Sequence, residues 1–180
     1  MGNYDVILTD PPWSYTGQQD KWGAAAKFYD TMDDEDIFSL DMKSRMAYQS
    51  IVFIWATCPK LHVAMRAIER WDLHYRGVAF VWIKTKQDGT PIGAQGVRPS
   101  IVKPLTELVL VASNVENGRP LKLYDESICQ TVFAPKQDHS HKPDEVQERI
   151  EQMYPDATRL EMFARRQRDG WDAWGHEVAA

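Results

Sequence analysis

Residues 4–13 read Tyr4-Asp5-Val6-Ile7-Leu8-Thr9-Asp10-Pro11-Pro12-Trp13. The first six form a short apolar, β-branched run, and a proline pair stops it, which is the pattern of a buried strand entering a loop. Similar runs follow at 50–56 (SIVFIWA, ended by Pro59), 78–84 (VAFVWIK, led by Gly77), 105–112 (LTELVLVA, followed by a turn at 114–118) and 158–163 (TRLEMF), with a shorter one at 171–174. Helical patterns lie between them. Residues 31–40 open with Thr31 and acidic residues. Leu61, Met65, Ile68 and Trp71 recur at helical spacing in 59–71, and 142–154 carries Pro143 in its first turn. Strands alternating with helices predict an α/β domain with a largely parallel central sheet and helices on both faces. No repeat, low-complexity tract or long linker divides the chain, so residues 1–180 read as a single domain.

Composition sets the outer bounds. The chain has 180 residues, 43% apolar and 26% charged, which excludes a disordered, collagenous or disulfide-stapled class. No apolar run approaches the roughly 18–20 residues of a membrane span, and residues 1–6 lack a basic, long apolar leader. Val6 stands where a myristoylation signal after Gly2 needs Ser or Thr. These features predict a soluble, cytoplasmic protein. Cys58 and Cys129 read as two buried free thiols, with a single disulfide as the alternative. A net charge of −5 leaves any nucleic-acid binding to a local basic patch or to a partner subunit.

In parallel sheets, ligands bind beyond the carboxyl ends of the strands. Asp10-Pro11-Pro12-Trp13 occupies such an end. Proline fixes its φ and donates no hydrogen bond, so the pair presents stiff carbonyl acceptors. Asp10 adds a carboxylate and Trp13 a π face. Together they suit the exocyclic amine of a planar base, with one N–H on Asp10, the other on the Pro11 carbonyl, and Trp13 stacked on the ring. Acceptors on both hydrogens favour a tetrahedral nitrogen whose lone pair can meet an electrophilic methyl, and they stabilise the charge that develops. The bland alternative is a turn in which Trp13 covers the edge of the core.

YDVILTDPPWSY resembles the strand and catalytic motif of the DPPW-type adenine-N6 methyltransferases, the family of the eukaryotic messenger-RNA adenosine methyltransferase catalytic subunit and of small bacterial and phage enzymes. Further segments are similar to the family in the same order: 28–32 (FYDTM), 53–55 (FIW), 82–85 (WIKT), 106–108 (TEL), 140–145 (SHKPDE), 159–165 (RLEMFAR) and 170–175. The resemblance implies a Rossmann-like fold in permuted (β-class) order, with the catalytic motif near the N-terminus and the donor strand near the C-terminus. It also implies S-adenosyl-L-methionine as methyl donor.

Residue roles follow from that likeness. Asp10, Pro11, Pro12 and Trp13 are the catalytic candidates, Asp10 also touching the donor's amino group. Lys142, a cation at a helix start, matches the lysine that binds the donor carboxylate; an ordinary surface lysine is the alternative. Phe163, Arg165, Gln167, His176 and Glu177 match the positions that hold the donor's ribose and adenine. The family's His-Asn pair is replaced here by an arginine-rich run, and its terminal Asn-Gln by His176-Glu177. Trp13, Tyr15, Lys84, Arg98, Lys103, Arg166 and Arg168 are candidate contacts to the substrate. Arg159, Arg165, Arg166 and Arg168 form either a phosphate-tracking patch or a solvated face balanced by Glu161 and Asp169. Asp138, His139 and His141 lack a recognised zinc pattern, and no metal is expected. Trp22, Trp55, Trp71 and Trp82 read as core or rim aromatics.

The expected function is S-adenosylmethionine-dependent methylation of adenine N6 in a polynucleotide, DNA before RNA. Cytosine N4 is a neighbouring exocyclic target. A non-catalytic subunit that lends a nucleic-acid surface to a partner is the reading from another class, and a homo-oligomer is equally compatible.

Overall fold

The computed structural model describes residues 3–14, 32–93, 101–137 and 141–175. Tyr15, Trp22, Thr31, Arg98, Asp138, His139, Ser140, His176 and Glu177 lie outside them. The apolar runs become a seven-stranded sheet built from β1 (Tyr4–Thr9), β2 (Met46–Thr57), β3 (His74–Thr85), β4 (Thr106–Ser113), β5 (Thr131–Pro135), β6 (Arg159–Met162) and β7 (Asp172–Trp174). Their order across the sheet is β5-β3-β4-β2-β1-β6-β7. β1 lies at the heart of it, pairing in parallel with β2 on one side and β6 on the other. Only β4 runs antiparallel, between β2 and β3. Six strands therefore point their carboxyl ends to one rim, the largely parallel sheet expected.

Three helices are described: α1 (Asp34–Phe38), α2 (Leu61–Arg70, entered through a 3₁₀ turn at Cys58–Lys60) and α3 (Asp144–Met153). Strand alternation sends Ile7, Val52, Ile54 and Leu160 to one face, where α1 and α2 pack. Val6, Leu8, Phe53, Trp55 and Phe80 face the other way, towards Val146 and Ile150 of α3. Helices do cover both faces.

Four details differ from the sequence reading. The buried stripe of α2 is Val63, Ala64, Ala67 and Ile68, continued by Trp71, while Leu61 is exposed and Met65 only half-buried. Leu61 is the first residue of the helix and Met65 stands one step round from Ala64, so both fall beside that stripe. β5 escaped detection because it is five residues long, ends at Pro135 and pairs on one side only, with β3. No helix separates β3, β4 and β5 among the described residues, so strict alternation fails there. Cys58 and Cys129 are free but exposed, because Cys58 opens the 3₁₀ turn after β2 and Cys129 lies in the loop before β5, neither within a strand. Trp55, Trp71 and Trp82 are buried as expected. No helix of the described residues is long and apolar enough to cross a membrane.

Candidate active site

The chain leaves β1 at Thr9, and Asp10 follows on the same face of the sheet as Leu8. Pro11 and Pro12 then turn it. The Trp13 N–H closes the turn by donating to the Pro11 carbonyl (2.8 Å), and the Met32 N–H donates to the Pro12 carbonyl (3.1 Å). Trp13 itself is seated in the α1/α2 core, 5% exposed, with its indole N–H donating to the Trp55 carbonyl (3.1 Å). Its ring is packed on the side opposite α3, so the structure places it as the anchor of the turn and not as an open stacking platform. One acceptor position of the Pro11 carbonyl is already used, and a carbonyl has two.

Asp10 faces Lys142, which immediately precedes Pro143 and α3. Their charged groups are 2.8 Å apart. The Lys142 ammonium also lies 3.4 Å from Glu107 at the start of β4, and Glu107 contacts the Lys84 ammonium at the end of β3. Asp10, Lys142, Glu107 and Lys84 thus form a chain of alternating charge across the carboxyl rim of β1, β4 and β3. Lys142 sits 5.4 Å from the centre of the Trp55 ring, which forms its apolar backing. Burial would raise the Glu107 carboxyl, but the charges of Lys142 and Lys84 outweigh it and hold it below its ordinary value of 4.5. Lys84 is occupied by this pairing, and only 22% of its side chain is exposed.

Ionised Glu107 therefore stabilises the fold above pH 4.5, and that contribution disappears as the pH falls through the lowered value. Thermal unfolding measured from about pH 7 to about pH 3 is expected to show a steeper acid loss for the natural protein than for Glu107→Gln. Parallel curves would show that Glu107 is not held in its charged form.

Beside this chain opens a cavity of about 720 Å³ on the α3 face of the sheet, within the range of about 300–1,000 Å³ usual for small-molecule sites. Asp10, Lys142, Glu161, Phe163, Arg165 and Arg166 line its central and β6 side. Gln87, Lys136 and Gln137 reach it from the ends of β3 and β5. Phe163 follows β6 in a turn with a φ of 60°, a left-handed conformation that costs a phenylalanine roughly 1–2 kcal/mol. The turn is held by Ala164 N–H donating to the Trp174 carbonyl (3.1 Å) and by the Phe163–Trp174 edge contact, ring centres 5.1 Å apart. Gly175 is required beside it, since a Cβ there would stand 2.5 Å from the Ala164 carbonyl oxygen. This turn brings Phe163 and Arg165 to the edge of the cavity, with Phe163 also packed against the α1/α2 core.

The structure thus brings together Asp10, Lys142, Phe163, Arg165 and Arg166. It does not bring Gln167 or Arg168 to the cavity wall. The Gln167 amide donates to the Trp171 carbonyl (2.5 Å), and the Arg168 guanidinium is forked on Glu151 (2.8 and 3.2 Å), which also accepts from the Trp171 indole (2.7 Å). Arg159 donates to the Tyr154 and Pro155 carbonyls (2.5 and 2.7 Å). The arginine run is therefore neither one patch nor one solvated face. Lys103 is exposed, its stem beside Gly93, and is not part of the cavity wall. Burial and the charges of Arg166, Arg165 and Lys142 hold His141 below its ordinary 6.5.

Sequence reasoning missed Glu161, Glu107, Gln147 and Lys136. Glu161 faces the cavity and accepts from the Gln147 amide of α3 (3.0 Å). A signal was present in both glutamates, because each interrupts an apolar strand where a carboxylate has no reason to be unless it is partnered.

A sheet of this order, with an acid–proline turn and a lysine meeting beside a cavity at the carboxyl ends of its central strands, defines an α/β protein whose open site lies on that rim. The family model MT-A70 matches residues 4–177, and the chain belongs to that family. It is 31% identical to the type II methyltransferase M.MunI of Mycoplasma sp, over 97% of this chain and 78% of that protein. It is 26% identical to the human N(6)-adenine-specific methyltransferase METTL4 and 24% identical to the human N(6)-adenosine-methyltransferase catalytic subunit METTL3. Those matches cover 97% and 92% of this chain but only 37% and 26% of the human proteins.

Proposed function

We propose that residues 1–180 form one methyltransferase unit, in the permuted order, which transfers a methyl group from S-adenosylmethionine to the exocyclic N6 of adenine in a polynucleotide. The observation that carries this reading is the pairing of Asp10 with Lys142 at 2.8 Å on the wall of a cavity large enough for a small-molecule ligand. The residues present fit the donor: its amino-acid end carries an ammonium and a carboxylate, and Asp10 and Lys142 are the complementary charges. Phe163 and Arg165 lie where its nucleoside end would extend, with His176 and Glu177 assigned beside them from the sequence. When bound, the donor supplies an electrophilic sulfonium methyl group.

The protein's own contribution is positioning and electrostatics. Asp10 and the remaining lone pair of the Pro11 carbonyl accept the two N–H bonds of the amine and draw its lone pair out of the ring plane. The turn that holds them is fixed by two prolines and by the buried Trp13, so no reorganisation is needed at the moment of transfer. Glu107 holds Lys142 and Lys84 in place. Arg166, Lys136 and Lys103, with Tyr15 and Arg98 from the sequence, are assigned to the polynucleotide side, where cations neutralise phosphates. DNA is the preferred substrate, because the chain spans 78% of a mycoplasma type II methyltransferase but only 37% and 26% of the human relatives.

The test is direct. Purified protein is incubated with labelled donor and matched single-stranded DNA, duplex DNA or RNA, and the products are digested to nucleosides and identified by mass. N6-methyldeoxyadenosine is expected. Methylation confined to RNA would reverse the substrate preference, N4-methylcytosine would change the target, and donor binding with no product in any pool would favour a non-catalytic subunit.

A further inference from the structure

The donor reading leaves one half-buried carboxyl group of the cavity, that of Glu161, without a task. Glu161 sits in β6 between Leu160 and Met162, which are buried on the opposite face of the sheet. Its register partner on β1 is Leu8, two residues before Asp10, and Leu8 and Asp10 line the same cavity. Phe163 follows two residues after Glu161 on the β6 side. The carboxyl of Glu161 therefore lies in the cavity floor between Asp10, where the donor's amino-acid end is assigned, and Phe163, where its nucleoside end is assigned. In S-adenosylmethionine the atom between those two ends is the sulfonium.

Resting on that reading, we propose that Glu161 is a specificity-determining residue: its carboxylate is the counter-charge to the donor's sulfonium and makes the site prefer the charged donor over the neutral thioether product. Methyl transfer leaves the C–S bonding pair on sulfur, so the group facing Glu161 changes from cationic to neutral while the rest of the ligand is unchanged. The two states then differ by one charge–charge interaction inside a cavity with limited water, where such interactions are stronger than in bulk solvent. Glu161 is suited to sensing that change. Burial raises its pKa and the Asp10 charge pushes the same way, against the Gln147 amide and Arg168, so a nearby cation is worth more to it than to a solvated carboxylate. Gln147 holds the group in place with a bond of 3.0 Å. A cavity that binds product less tightly than donor empties after each turnover.

Isothermal titration of three ligands tests this without any catalytic readout: the donor, the thioether product S-adenosylhomocysteine, and an analogue in which a protonated amine replaces the sulfonium. Glu161→Gln, close in shape, is expected to weaken donor and amine analogue by about tenfold or more and to change product affinity less than about twofold. Glu161→Asp, which keeps the charge, is expected to retain preference for both cations and serves if the glutamine variant does not fold. Equal weakening of all three ligands, or no change in the donor-to-product ratio in either variant, would overturn the assignment alone. Natural protein that binds none of the three would overturn the donor site itself, and this assignment with it.

Discussion

Replacing Asp10 by asparagine is expected to slow single-turnover methyl transfer by on the order of 100- to 1,000-fold, the usual loss when one preorganised transition-state contact is removed. The amide keeps the shape of the carboxylate but presents less negative charge to an amine that becomes positive as the methyl arrives. The structure also predicts what survives. Lys142 loses its 2.8 Å partner, yet Glu107 still stands 3.4 Å away, so the lysine keeps a carboxylate to hold it in place. Donor affinity is therefore expected to fall far less than the rate of transfer. Rapid-quench transfer and equilibrium donor binding on the same preparation separate the two effects. A variant that transfers methyl groups at a near-normal rate would remove Asp10 from the reaction, whatever its binding.

Trp13→Ala is expected to destabilise the fold by about 3–5 kcal/mol, the range for deleting a buried large aromatic side chain. Two costs combine there: the cavity left among the α1/α2 core residues and the Trp55 carbonyl left without its indole donor. The tetrapeptide left two readings open, a turn in which Trp13 covers the edge of the core and a stacking platform whose loss would mainly weaken base placement. Burial of Trp13 to 5% exposure decides for the first. Chemical denaturation measures the change, and Trp13→Phe, which refills most of the volume but not the hydrogen bond, is expected to lose less. An alanine variant of natural stability that had lost only substrate affinity would return Trp13 to the stacking role. Asp10 and Trp13, three residues apart in one motif, thus contribute in different ways: Asp10 faces the cavity, and Trp13 holds the turn that aims it.

β1, β2, β3, β4 and β6 were legible because each lies in an apolar run bounded by Pro, Gly or polar turns, and burial in a two-faced sheet demands that composition. The place of the site was legible too, since a parallel sheet leaves its ligands one rim to bind on. Asp10 and Lys142 could be singled out from their local motifs, 132 residues apart. Their contact, and the Glu107 bridge that joins them to Lys84, could not, because ion pairs between β1, β3, β4 and the start of α3 depend on which strands become neighbours. Local patterning carries the period of a strand and the stiffness of a proline turn. It carries no information on which strand lies alongside which, and so none on the faces that Trp13 and Glu161 would meet. Only the packed sheet, with β4 reversed between β2 and β3 and β6 laid against β1, turned Trp13 into the core and brought the Glu161 carboxyl into the cavity.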